Sequence, residues 1–209
     1  ECFKVIDQIA EVNPNAFLIF TGGEPLLRPD IYEIIRYAAD RKFMVVLGTN
    51  GTMINRVNAE KIKAAGAHGV GISIDSMNPD KHNKFRGVDK AWELSMDAFD
   101  ILNEVGVDFL VQMSVSDMNY KEIPEVVEFT EKIGAIAFNL YFLVCTGRGQ
   151  GNTDISNAAY EEALKMLYDQ QMKYKGKLMI NSKCAPQYKR VVYENDPESV
   201  YTRTYSGGC

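Results

Sequence analysis

Phe17-Leu18-Ile19-Phe20-Thr21-Gly22-Gly23-Glu24-Pro25 is an apolar run of strand length that breaks into two glycines, an acid and a proline. Pro25 has no N–H for a ladder, so the strand ends there. From Ile31 apolar residues recur at Ile34, Ile35 and Ala38, one face of a helix. This unit of strand, loop and helix repeats along the chain. Further apolar runs lie at 43–47, 69–74, 107–115 and 135–144, and successive starts from Phe17 are 26, 26, 38 and 28 residues apart. Between them Ala59, Ile62, Ala65 and Gly66 share a helical face, as do Leu94, Ala98, Ile101 and Leu102, then Val126, Val127, Phe129 and Ile133. A leading helix is expected over 2–12 and a fifth repeat helix over about 157–174. Right-handed crossovers turn such a series into a parallel sheet covered by helices.

A doubly wound sheet and a barrel both satisfy the pattern. A closed eight-unit barrel needs about 250 residues, more than the 209 present. The expected class is therefore α/β, an open, partial TIM-type (β/α)6 barrel of parallel strands, with its first strand and the loop after it lying before Glu1. Residues 1–175 form this core, and from 176 the pattern breaks into a short strand, Leu178-Met179-Ile180, and a mixed segment carrying Cys184 and Cys209.

A hydrophobic share of 46% suffices for a core and excludes disorder. With 23 Lys+Arg against 28 Asp+Glu the formal charge is −5, which offers no long-range attraction to nucleic acid or anionic lipid. No window approaches the roughly 20 apolar residues of a membrane span. A cytoplasmic location with neither membrane nor nucleic acid as partner is expected. Cys2, Cys145, Cys184 and Cys209 are too few and too scattered for a secreted disulfide framework.

In parallel α/β folds the ligand lies at the carboxyl ends of the strands. After the first run, Gly22 and Gly23 leave backbone groups open and Glu24 can accept hydrogen bonds from a cation, although the same residues also make a plain turn. The second run ends Thr49-Asn50-Gly51, a turn dipeptide with one polar side chain. Ser73 and Asp75 alternate with Ile72 and Ile74 and so share a face that suits a ribose diol, or Asp75 caps the next helix. Gln112 and Ser114, then Asn139 and Tyr141, alternate in the same way. Four successive strands thus send polar groups toward one mouth.

Phe20-Thr21-Gly22-Gly23-Glu24-Pro25-Leu26, Thr49-Asn50-Gly51, Ile72-Ser73-Ile74-Asp75 and Asn83-Lys84-Phe85-Arg86-Gly87, in that order and spacing, closely resemble the radical S-adenosylmethionine (SAM) superfamily over roughly residues 1–150. The resemblance implies an enzyme that cleaves SAM at a reduced [4Fe–4S] cluster to a 5′-deoxyadenosyl radical, which abstracts hydrogen from a small-molecule substrate. An electron donor such as ferredoxin or flavodoxin is implied as a partner. It implies that Gly22, Gly23 and Glu24 hold the methionyl amino group. Ser73 and Asp75 would lie near the ribose, with Asn50 close by. Gln112 and Ser114 would reach the ribose or the methionyl carboxylate, and the backbone around Leu143 would lie against adenine. The family's C-x3-C-x2-C cluster motif is absent, since successive cysteines are 143, 39 and 25 residues apart. The motif is expected before Glu1, and the chain alone is expected to be inactive.

Tyr141-Phe142-Leu143-Val144-Cys145-Thr146-Gly147-Arg148-Gly149, Cys184-Ala185-Pro186-Gln187-Tyr188 and Gly207-Gly208-Cys209 are similar to the subgroup acting on tetrapyrroles in alternative haem and haem d1 synthesis and to metallo-cofactor maturases. In that subgroup a C-terminal extension of SPASM or twitch type holds an auxiliary iron–sulfur cluster, which assigns 176–209 to the start of the extension and Cys184 and Cys209 to cluster ligands. Arg148 and Arg86 become candidates for gripping substrate carboxylates. The substrate implied is a tetrapyrrole losing acetate or propionate carboxyl groups. Two rivals stay open, a radical SAM maturase of peptides or metallo-cofactors, and a cluster-free barrel that binds a nucleoside or a partner. Cys2 and Cys145 read as packing residues, and His68 and His82 have no metal-ligand partner at useful spacing.

Overall fold

The computed structural model describes residues 1–142 and 155–203. Its strands are β1 (Phe17–Phe20), β2 (Met44–Thr49), β3 (Gly69–Ser73), β4 (Phe109–Val115), β5 (Ala137–Phe142) and β6 (Met179–Lys183), in the order β1-β2-β3-β4-β5-β6. Strands that neighbour their successors in sequence are what repeated right-handed crossovers produce. The helices are α1 (Cys2–Val12), α2 (Ile31–Asp40), α3 (Arg56–Ala64), α4 (Pro79–Arg86), α5 (Ala91–Val105), α6 (Ile123–Lys132), α7 (Asn157–Lys173), α8 (Tyr188–Asn195) and α9 (Val200–Arg203). The chain divides into two compact units, Glu1–Ser73 with Arg86–Leu110, and Ile74–Phe85 with Val111–Cys209.

In the first unit β1 and β2 pair in parallel, Phe17 opposite Met44 and Phe20 opposite Leu47. β2 and β3 pair likewise, Val46 opposite Gly69 and Thr49 opposite Ile72. The helices bury the faces their spacing foretells: Ile31, Ile34, Ile35 and Ala38 on α2, Ala59 and Ile62 on α3, Ala98 and Leu102 on α5. Local chemistry sets the ends. Asn55 accepts the N–H of Asn58 to start α3, and Gly106 takes a left-handed conformation that closes α5, its N–H bonding Leu102 and Asn103 carbonyls.

In the second unit β5 and β6 are parallel, with Asn139 opposite Asn181 and Tyr141 opposite Lys183. The segment expected to open an extension at 176 therefore continues the sheet through Lys183. α4 escaped the periodicity reading because it has no apolar face, burying only His82. Its start is written in Asn78-Pro79, where Asn78 Oδ1 accepts the N–H of Lys81. Behind β6, buried Gln171 donates to the Ile180 carbonyl at 2.9 Å and accepts from the Tyr188 hydroxyl at 2.9 Å. Burial holds the Tyr188 phenol far above its ordinary range, so it remains a donor. Tyr188→Phe leaves Gln171 Oε1 buried without a partner, and chemical denaturation should register a loss of about 1–3 kcal/mol; no loss would remove this bond from the core's support.

No helix among the described residues is long and apolar enough to cross a membrane.

Candidate functional site

In the first unit the loop after β1 is tied to the end of β2 by one carboxylate. Glu24 Oε1 accepts the Leu26 N–H at 3.1 Å and the Thr49 hydroxyl at 2.7 Å, and Oε2 accepts the Asn50 N–H at 2.9 Å. A carboxylate offers about four lone-pair sites, so one remains on Oε2 for an external donor. Beside it Gly22 and Gly23 are exposed, and a Cβ built on either would meet no heavy atom within 4 Å. Their backbone faces open space.

Asn50 is oriented by its own neighbours. Its Oδ1 accepts from the Thr52 N–H and hydroxyl at 2.9 and 2.8 Å, which turns the amide N–H pair away from the chain. That pair has no partner among the described residues. Gly51 follows with φ +83°, and a Cβ there would stand 3.0 Å from both Ile72 Cγ2 and Ser95 Oγ. Gly51→Ala is expected to cost about 2–3 kcal/mol from backbone strain and overpacking, seen as a lowered urea midpoint with an unchanged slope. An unshifted midpoint would refute the tight fit.

In the second unit Asp75 is 1% exposed. Its Oδ1 accepts the Ser114 N–H at 2.9 Å, and its own N–H donates to His82 Nδ1 at 3.2 Å. Asn119, also buried, donates its amide hydrogens to the carbonyls of Asp75 and Ser114, both at 2.9 Å, and accepts the Ser116 N–H at 2.7 Å. Among the described residues the Ser114 hydroxyl makes no bond, nor, in the first unit, does that of Ser73. Both are half-buried. Gln112 Nε2 lies 3.5 Å from the Tyr141 hydroxyl.

A cavity of about 140 Å³ opens beside this group, lined by Asp75, Ser76, Lys81, Lys84, Phe85, Met118 and Asn119. Glu122 braces two of the lining residues, accepting from the Ser76 hydroxyl and holding Lys81 at 2.7 Å. That hydrogen bond raises the Lys81 ammonium above its ordinary value.

The residues singled out in the sequence thus fall in two groups: Gly22, Gly23, Glu24, Asn50 and Ser73 in one unit, Asp75, Gln112 and Ser114 in the other. Arg86, half-buried, ends α4. Cys184 follows β6 directly with φ +58°, while Leu143, Arg148 and Cys209 lie outside the described residues. Thr49, Asn119 and Glu122 were not foreseen. The signal for the last two was the polar run after β4, where Ser116 and Asn119 stand at the spacing of a side chain that folds back on its own loop.

Parallel strands that each lead into a helix, with polar side chains and open glycine backbone at the strand ends, define an α/β half-barrel of the ligand-binding kind. Residues 1–130 match the model of the Radical SAM superfamily, and the chain belongs to that superfamily. The AdoMet-dependent heme synthase of Methanosarcina barkeri is 38% identical over 192 residues, 92% of this chain and 54% of that protein. The enzyme of the same name from Nitratidesulfovibrio vulgaris is 36% identical over 200 residues, 95% of this chain and 54% of its own length. The pre-heme d1 synthase of Dinoroseobacter shibae is 31% identical, covering 72% of this chain and 37% of that protein. The chain spans about half the length of the two heme synthases. Among solved structures, Streptococcus suis SuiB bound to S-adenosylmethionine matches with TM-score 0.76 at 17% identity, over 99% of this chain and 48% of that one. The structure of anSMEcpe with bound AdoMet and a peptide matches with TM-score 0.69 at 18% identity, over 95% and 58%. These two likenesses bear out the parallel half-barrel.

The superfamily uses SAM and a [4Fe–4S] cluster. The open backbone of Gly22 and Gly23, the remaining Glu24 lone pair and the unpartnered Asn50 amide fit the amino-acid portion of SAM. No group of three or more His, Cys, Asp or Glu able to hold a metal ion exists among the described residues.

Proposed function

We propose that this chain is the SAM-binding core of a cytoplasmic enzyme of tetrapyrrole biosynthesis, a decarboxylase or deacetylase acting on carboxylated side chains. The observation that carries the reading is 38% and 36% identity to two AdoMet-dependent heme synthases across 92% and 95% of the chain. SAM and a cluster reduced by a donor such as ferredoxin or flavodoxin supply the 5′-deoxyadenosyl radical that abstracts hydrogen from substrate.

The chain's own part is to bind and orient. Backbone groups of Gly22 and Gly23 and the Glu24 carboxylate receive the methionyl ammonium, and the Asn50 amide donates to a nearby acceptor. The Ser73 and Ser114 hydroxyls and the Gln112 amide serve the ribose and the methionyl carboxylate. Asp75 acts by holding the Ser114 strand end in place, and the backbone at Leu143 lies against adenine. Arg86 and Arg148 grip substrate carboxylates, and Cys184 and Cys209 belong to an auxiliary cluster.

The test is anaerobic reconstitution of the full-length protein with iron and sulfide, reduction, and assay of 5′-deoxyadenosine with and without coproporphyrin III or its iron complex. Cluster absorption and SAM cleavage stimulated by the tetrapyrrole are expected. No SAM cleavage would sink the enzyme reading, and cleavage indifferent to tetrapyrroles would sink the substrate.

A further inference from the structure

The polar face of the sheet in the second unit extends beyond the residues assigned to SAM. β4 sends Gln112 and Ser114 to it, β5 sends Asn139 and Tyr141, and the parallel register brings Asn181 opposite Asn139 and Lys183 opposite Tyr141. Asn181 donates to Asn139 Oδ1 at 3.0 Å across the strands, which fixes this face of β6. On the opposite face Ile180 and Ser182 are buried. Lys183, the last residue of β6, therefore stands with Tyr141 at the carboxyl edge, where parallel folds receive their ligands.

Lys183 is half-buried, and its ammonium makes no hydrogen bond or ion pair among the described residues. In the same unit the buried Asp75 is answered, accepting the Ser114 N–H. An ammonium that no described carboxylate engages is available to a ligand anion. Tyr141 is prepared for the same visitor. The Gln112 amide donates to its oxygen, which leaves the hydroxyl proton to be given away. Burial raises the Tyr141 phenol above its ordinary range, so that proton is retained.

We propose that Lys183 and Tyr141 form a receptor for a carboxylate of the substrate, the ammonium supplying charge and the phenol a directed hydrogen bond. The assignment rests on the tetrapyrrole reading, in which the substrate carries several carboxylates. It adds a cation on the sheet itself to the expected Arg86 and Arg148.

The test is fluorescence titration of the full-length, reconstituted protein with coproporphyrin III, alongside SAM binding. Lys183→Met is expected to weaken porphyrin binding about 10–100-fold, the scale of a charge-assisted bond, and to leave the SAM dissociation constant unchanged. Lys183→Arg, which keeps the charge, should restore binding to within about threefold. Tyr141→Phe should cost about 3–10-fold. If Lys183→Met does not fold, Lys183→Gln serves instead. Wild-type affinity in the Met or Gln variant, with the wild type itself binding, overturns the receptor while the tetrapyrrole reading stands. A wild type that binds SAM and ignores the porphyrin overturns both.

Discussion

Glu24→Gln weakens SAM binding about 10–100-fold, because the ligand's ammonium loses a charged acceptor and the loop that presents it is disturbed. The carboxylate already accepts from Leu26, Thr49 and Asn50. An amide keeps one oxygen and replaces the other with two N–H groups, so a donor now faces a donor. If Oε2 becomes the amide nitrogen, the Asn50 N–H is stranded; if Oε1 does, Leu26 and Thr49 are. Stability should fall as well, by about 1–3 kcal/mol. Titration calorimetry with SAM on the reconstituted full-length protein, at a temperature where the variant is folded, separates the two effects. An unchanged dissociation constant removes Glu24 from the site, and an unchanged thermal midpoint removes it from the architecture.

Asn119→Ala is expected to cost about 2–4 kcal/mol, the largest stability effect foreseen for a single polar side chain here. Four bonds vanish together, three of them to backbone groups, at a residue only 5% exposed. The carbonyls of Asp75 and Ser114 lose their donor and the Ser116 N–H its acceptor. Asn119→Asp does no better, since it keeps an acceptor for Ser116 but turns an oxygen on two carbonyl oxygens. A midpoint lowered by about 5–15 °C follows for a chain of this size. A shift under about 2 °C would show that water replaces the amide. Because Ser114 and Asp75 hang from this residue, SAM affinity should fall too, even though Asn119 itself touches no ligand in the proposed site.

Much of the fold was legible because strand and helix alternate at a steady repeat and α2 buries the stripe its spacing foretells, Ile31, Ile34, Ile35 and Ala38, although Leu94, read onto the inner face of α5, is exposed. β6 was harder. Its apolar run centres on Leu178-Met179-Ile180, yet the strand covers Met179–Lys183, three of whose residues are Asn181, Ser182 and Lys183. Pairing with β5, not composition, sets that register, so which face Lys183 occupies could not be read locally. The same holds for the clamps. Glu24 reads as an isolated acid in a turn, and only the parallel pairing of β1 with β2 brings Thr49 and Asn50 to it. Asn119 looks like a turn former until the carbonyls of Asp75 and Ser114 are brought to its amide.

The bond from Gln171 to the Ile180 carbonyl carries a consequence for how the protein behaves in a crowded solution. β6 borders the sheet in the described residues, and a bordering strand offers its unpaired backbone as a template for any passing extended chain. Here the Ile180 oxygen is already taken by a side chain that Tyr188 holds in place. A foreign strand would find that rung of the ladder filled, and the next polar positions on β6 end in a positive charge at Lys183. Loosening Gln171 would therefore unmask a sticky border, and self-association would accompany any loss of stability.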